Sequence, residues 1–171
     1  MGTDKATLLY RGEPLWSRQL RILRELTPEA IWVSARSVPA WARGVNEIIL
    51  DEPPSRGPLS GIAAGLSRLK TSHLLVLGID LPNITPEHLR QRLNEIELGR
   101  GMIPVKENQF EPVCAIYPRE AGVVAQECLV AGRLSLQDFA KELVKRKLVA
   151  SHGITPTEEP LYLNLNTPAD V

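Results

Sequence analysis

An α/β fold with a mostly parallel sheet is the architecture this sequence predicts, on three observations. Short apolar runs, too brief for helices, alternate with segments whose apolar residues recur at helical spacing. The run Leu74-Leu75-Val76-Leu77-Gly78-Ile79 is aliphatic on both alternating faces, as a strand buried inside a parallel sheet is, and it stops at Asp80-Leu81-Pro82. With 171 residues the chain has the size of one domain, 1–171, large enough to bury a core without disulfides or a structural metal.

The elements follow in order. Met1-Gly2-Thr3-Asp4-Lys5 opens the chain with no strand before it, which is unusual for an α/β domain. After a turn at Arg11-Gly12-Glu13-Pro14, residues Leu15, Gln19, Ile22, Leu23 and Leu26 share one helical face. Arg18, Arg21 and Arg24 point elsewhere, either as an anion-binding row or as a solvated helix face. Ala30–Ser34 and Glu47–Leu50 read as strands, and the second finishes at Asp51. Hydroxyl and acidic residues at two successive strand tips suggest a shared sheet edge.

Asp51–Pro58 is a rigid loop leading into a helix whose stripe is Leu59, Ile62, Ala63, Leu66 and Leu69. Gly61 and Gly65 cost that helix about 1 kcal/mol each relative to Ala, which predicts close packing against the sheet. A phosphate could sit on the helix start at Gly57-Pro58, although those two residues alone are weak evidence for it. The strand ending at Asp80 follows, and in open α/β sheets the carboxyl edge borders the ligand crevice. A carboxylate there can hold a metal ion, or it can serve as a turn or helix cap.

Thr85-Pro86-Glu87 has the cap, proline and acid of a helix start, with Leu89, Leu93 and Ile96 as the buried stripe. Strands are predicted at 101–105 and 113–117, separated by a polar loop that either faces a substrate or is an ordinary hairpin connection. Helices are predicted at 119–131 and from Ser135 along Leu136, Phe139, Ala140, Leu143 and Val144. Residues 148–151 and 161–163 read as strands, and Asn164-Leu165-Asn166-Thr167-Pro168-Ala169-Asp170 as a last helix start.

Twenty basic and twenty acidic residues cancel, so no global charge points to nucleic acid or a membrane as partner, and local sites must carry the function. Cys114 and Cys128 lack ligand spacing and lie in apolar sequence, which predicts buried free thiols in a reducing compartment. No apolar run approaches the ~20 residues of a membrane span and the first residues are not a signal peptide, so a cytoplasmic location is expected.

Four pieces occur in one order: Met1-Gly2-x-Asp4-Lys5, Gly57-Pro58-Leu59-Ser60-Gly61-Ile62, Ile79-Asp80-x-Pro82 and Asn164-x-Asn166-Thr167-Pro168. Together they resemble the molybdenum cofactor guanylyltransferase family, across essentially the whole chain. The resemblance implies a Rossmann-like three-layer nucleotidyltransferase fold. It also implies Mg²⁺-dependent transfer of GMP from GTP to the phosphate of molybdopterin or molybdenum cofactor, releasing pyrophosphate. Lys5 matches the family's lysine that neutralises nucleotide phosphates, and Asp80 the aspartate that holds Mg²⁺ against them. Asp51 matches a position in the GTP site, and Ser34 stands where an asparagine is common. Asn164 and Asn166 match a carboxyl-terminal pair on the acceptor side, where capping of the last helix is the competing role. Molybdoenzyme-specific chaperones are a further partner class that the family implies. Alternatives are a relative using CTP or another phosphorylated acceptor, and a noncatalytic nucleotide-binding homologue.

The family carries a strand and a glycine-rich loop of the form Leu-Ala-Gly-Gly-x-Ser-x-Arg immediately before the Met-Gly that here is Met1-Gly2. This sequence begins after both, so the first strand is absent and the domain reads as truncated at its amino end. Such a loop wraps the triphosphate with backbone N–H groups, so the chain as it stands is expected to bind GTP poorly. Loss of the strand is expected to leave unpaired hydrogen bonds along its neighbour. Three explanations stand: a start lying upstream, residues removed or left out, or a short form of impaired activity.

Overall fold

The computed structural model describes residues 4–42, 47–50 and 57–165. The chain forms two compact units that alternate along the sequence. Met1–Ile31, Leu77–Glu95 and Ile154–Val171 make up one, and Trp32–Val76 with Ile96–Gly153 the other.

The first unit opens with a 3₁₀ turn at Lys5–Thr7, capped by Asp4, whose Oδ1 accepts from the Ala6 N–H at 3.0 Å. A hairpin of β1 (Leu9–Tyr10) and β2 (Glu13–Pro14) follows. Its two-residue loop, Arg11-Gly12, has φ of 52° and 81°, the left-handed pair that a type I′ hairpin turn requires. Helix α1 (Leu15–Arg24) buries Leu15, Gln19, Leu20 and Ile22. The arginine row divides: Arg21 is exposed and pairs with Glu13 and Glu25, whereas Arg18 donates from Nε to the Pro82 carbonyl. Helix α3, which in chain order follows helix α2 (Pro58–Arg68) of the other unit, spans Pro86–Glu95. Its cap is the predicted one, Thr85 Oγ1 accepting from the His88 N–H at 3.2 Å. Residues 161–163 are not a strand, as the sequence suggested: Leu161 and Tyr162 end a 3₁₀ helix, Glu159–Tyr162, and Leu163 follows it. Pro160 has no N–H to give to a ladder and its fixed φ suits the first helical turn.

In the second unit β3 (Val33–Ala35) and β4 (Ile48–Leu50) run parallel, with Ser34 in register with Ile49. Helix α2 (Pro58–Arg68) starts after Gly57, whose φ of 75° and ψ of −166° lie in a region open essentially to glycine. The predicted close approach of α2 is present: a Cβ on Gly65 would lie 3.1 Å from Leu74 Cδ2. Strand β5 (His73–Leu77) lies next to β8 (Cys114–Pro118), and β8 next to β6 (Gly101–Lys106). Along its other edge β6 carries β9 (Val149–Gly153), and it turns into β7 (Gln109–Phe110). The polar loop is thus a hairpin turn at Glu107-Asn108, both at positive φ. The pairs β3–β4 and β6–β9 are parallel, whereas β6–β8 and β6–β7 are antiparallel, so the sheet about β6 combines the parallel pairing expected of most of the sheet with antiparallel pairing. A two-residue turn can only reverse the chain, which makes β6–β7 antiparallel.

Helices α2, α4 (Ala121–Val130) and α5 (Leu136–Lys145) cover this sheet. Leu59, Ile62, Leu66, Val124, Phe139 and Leu143 meet Ile103, Ala115, Tyr117 and Val149 in one core. Tyr117 satisfies its buried hydroxyl by donating to the Pro112 carbonyl at 2.6 Å. Cys114 and Cys128 are buried free thiols, and burial pushes the Cys114 thiol up to about 12. Among the described residues no helix is long and apolar enough to cross a membrane.

Candidate functional site

The segment that follows β5 leaves the sheet as Gly78-Ile79-Asp80-Leu81, and Asp80 stands in a turn three residues past the strand end. Glycine and proline at either side of Ile79-Asp80-Leu81 end the strand, and Pro82 cannot extend a ladder. The turn is held from inside by Gln19 of α1. This side chain is only 5% exposed, and its Nε2 donates to the Gly78 and Leu81 carbonyls, each at 2.9 Å. One amide therefore brackets the turn that carries Asp80. Arg18 Nε adds a bond to the Pro82 carbonyl, and the Leu165 N–H donates to the carbonyl of Asp80 itself at 2.9 Å.

Lys5 comes to Asp80 from the 3₁₀ turn capped by Asp4. Its Nζ lies 3.8 Å from Asp80 Oδ2, and the two side chains are 35% and 31% exposed. A cation and a carboxylate at that separation, both reachable from solvent, neutralise each other weakly and leave acceptor oxygens open to a ligand. Magnesium is commonly bound through one or two carboxylates, with waters and substrate phosphates completing its octahedron. A lone, partly exposed carboxylate such as Asp80 fits that donor set, whereas a closed protein cage does not. Among the described residues no group of three or more His, Cys, Asp or Glu could form such a cage.

Of the six predicted positions, the structure brings Lys5 and Asp80 together. Asn164 is exposed and immediately precedes Leu165, the residue tied to the Asp80 backbone. Ser34 is exposed in β3, within the other unit. Asp51 and Asn166 lie outside the described residues, as do Met1-Gly2 and Thr167-Pro168.

Two polar residues for which no site role was expected from the sequence shape the turn that carries Asp80. Gln19 sits on the apolar stripe of α1, and a polar residue in the middle of such a stripe was the signal available. Asn83 accepts at Oδ1 from the Tyr10 hydroxyl at 2.7 Å and donates from Nδ2 to the Pro160 carbonyl at 3.0 Å. It thereby joins the hairpin, the Asp80 turn and the 3₁₀ helix at Glu159–Tyr162.

Residues 1–147 match the model of the MobA-like NTP transferase domain. The chain is 32% identical over 173 residues to a probable molybdenum cofactor guanylyltransferase of Opitutus terrae, covering 99% of this chain and 86% of that protein. It is also 32% identical over 171 residues to the molybdenum cofactor guanylyltransferase of Pseudomonas fluorescens, covering 98% and 82%. Among solved structures, the molybdopterin-guanine dinucleotide biosynthesis protein A of Archaeoglobus fulgidus superposes with a TM-score of 0.74 at 22% identity, over 99% of this chain and 87% of that one. The 2-C-methyl-D-erythritol 4-phosphate cytidylyltransferase of Thermus thermophilus gives 0.71 at 12% identity, over 97% and 89%. These two structural likenesses establish the nucleotidyltransferase fold.

Proposed function

The chain belongs to the MobA-like NTP transferase family and is a nucleotidyltransferase, and from that premise we propose that it transfers GMP from GTP to the terminal phosphate of molybdopterin or its molybdenum-loaded form. An acceptor phosphate oxygen attacks the α-phosphorus of GTP, a new P–O–P linkage forms, and the bond to the β-phosphate breaks to release pyrophosphate. The obstacle is anionic repulsion between acceptor and nucleotide, so fixed positive charge contributes more than a strong base. Lys5 supplies one positive charge at the phosphates. Asp80 would hold the divalent cation, Mg²⁺, whose contribution is charge neutralisation at the reacting phosphates and the leaving group. Asn164 offers an amide on the acceptor side, and Ser34 and Asp51 are proposed to contact the nucleotide.

The observation that supports this reading most directly is the approach of Lys5 Nζ to Asp80 Oδ2, 3.8 Å, on a turn clamped by Gln19 and Leu165. The test is release of pyrophosphate by the purified protein with GTP, Mg²⁺ and molybdopterin, the GTP concentration being raised until the rate saturates. Release is expected only when all three are present, with CTP a poor substitute. Equal turnover with CTP would transfer the assignment to a cytidylyl enzyme, and release independent of molybdopterin would remove the proposed acceptor.

A further inference from the structure

A second set of polar side chains lies in the same compact unit, on α3 and the segment 154–165, and the reaction described above does not use it. His88 and Arg92 are almost fully buried on α3, and Tyr162 is buried at the end of the 3₁₀ helix Glu159–Tyr162. His88 Nε2 and the Tyr162 hydroxyl are 2.7 Å apart, and the two rings meet edge to face with centroids at 5.4 Å. Glu158 Oε1 lies 3.9 Å from His88 Nδ1 and 3.8 Å from Arg92 Nη1, while its Oε2 accepts from the Thr155 N–H and hydroxyl. A carboxylate facing Nδ1 favours the proton on that nitrogen. Assigned in this way, Nε2 is the acceptor and the Tyr162 hydroxyl donates to it.

These contacts have a direction along the chain. Tyr162 comes two residues before Asn164 and three before Leu165, whose N–H holds the Asp80 carbonyl at 2.9 Å. Pro160 is held by Asn83, three residues beyond Asp80. Residues 162–165 therefore span from α3 to the Asp80 turn, with the His88–Tyr162 bond at one end and the Leu165–Asp80 bond at the other. A buried imidazole without a hydrogen-bond partner is costly, so the ring and the hydroxyl hold each other in one geometry.

We propose that Tyr162 and His88 are positioning residues for the transfer: their hydrogen bond tethers the segment 154–165 to α3, and through Leu165 it fixes Asn164 and the Asp80 turn. The proposal rests on the guanylyl reading for its catalytic consequence, while the tether itself can be read without any turnover.

The experiment compares the wild-type protein with Tyr162→Phe, which keeps the ring and its edge contact with His88 and removes only the oxygen. Two quantities are read: the steady-state constants for GTP with Mg²⁺ and molybdopterin, and the amide hydrogen-exchange rate of Leu165. Loss of one buried hydrogen bond is expected to speed Leu165 exchange by about tenfold and to lower kcat by a similar factor of about ten. The KM for GTP should stay within about twofold, because the ground-state contacts of the nucleotide are left in place. His88→Gln, which keeps a polar group near the hydroxyl, should retain more of kcat than His88→Ala.

Unchanged Leu165 exchange overturns the tether, whatever the rate does. Faster exchange with unchanged kcat overturns the positioning role and leaves a purely structural bond. A wild-type protein that transfers no GMP at all contradicts the guanylyl reading instead. The exchange comparison then decides the tether alone, supporting it if Tyr162→Phe exchanges about tenfold faster and overturning it if not.

Discussion

At the scale of single residues, the Asp80 turn depends on one amide. Gln19 Nε2 serves two carbonyls that flank Ile79 and Asp80, and nothing on an apolar residue could replace it. Gln19→Met keeps the length and volume of the side chain but leaves both carbonyls without this donor. It is expected to destabilise the protein by about 2 kcal/mol, measured as a lower urea midpoint at unchanged m, and to reduce GMP transfer as the turn loosens. A second residue-level expectation concerns acid. The Arg146 guanidinium hydrogen-bonds Glu127 and Glu142 at 2.6 and 2.8 Å, and this holds both carboxyls below their ordinary value of 4.5. A depressed folded-state value means that the stabilisation is complete above the unfolded value near 4.5 and is lost as pH falls through the folded one. Melting temperatures of Arg146→Ala and wild type should therefore converge at low pH and separate above it, more so at low salt because Arg146 and Glu127 are exposed and Glu142 is partly so. Residue identities were legible where chemistry is concentrated, as at Lys5 and Asp80. Gln19, Asn83, His88 and Tyr162 were not, because each takes its meaning from a partner at least 59 positions away.

At the scale of elements, periodicity located all five α-helices among the described residues to within a few positions, since each buries one stripe against a neighbour. The strand expected to end at Asp80 ends earlier, at Leu77, because Gly78 starts the turn that carries the aspartate. The direction of pairing was less legible than the helices. A buried apolar strand looks alike in a parallel and an antiparallel neighbourhood, and the antiparallel partners of β6 follow from the Glu107-Asn108 turn and from β8. The 3₁₀ helix at Glu159–Tyr162 was misread as strand because the short apolar run Leu161-Tyr162-Leu163 outweighed Pro160. Gly101 went unnoticed, although it opens β6 where an added Cβ would lie 2.0 Å from the Ile116 carbonyl oxygen and 2.9 Å from Pro118 Cδ. Neither backbone nor a proline ring can yield cheaply. Gly101→Ala is expected to cost about 3 kcal/mol in urea unfolding through displacement of β6 from β8, whereas Gly132→Ala, with no atom within 4 Å, should cost less and only through its φ of 68°.

At the scale of the whole molecule, the order of four short motifs along the chain carried the family resemblance, and the match over residues 1–147 bears it out. No single motif could have done so, because a glycine-proline helix start or an aspartate at a strand end serves many folds. Local geometry then narrows the chemistry: Lys5 lies within ion-pair distance of Asp80, and hydrogen bonds from Gln19 of α1 and from the Leu165 N–H hold the Asp80 turn. The proposed reaction asks that arrangement to place positive charge on a phosphoryl group in transfer. The most direct measurement is the formation of guanylylated pterin from GTP labelled at the α-phosphate, with Mg²⁺ and molybdopterin, by wild type and by Asp80→Ala at matched thermal stability. Labelled product is predicted with wild type, reduced by at least about a hundredfold in Asp80→Ala. Full activity in Asp80→Ala would contradict the role assigned to that carboxylate and, with it, the proposed site.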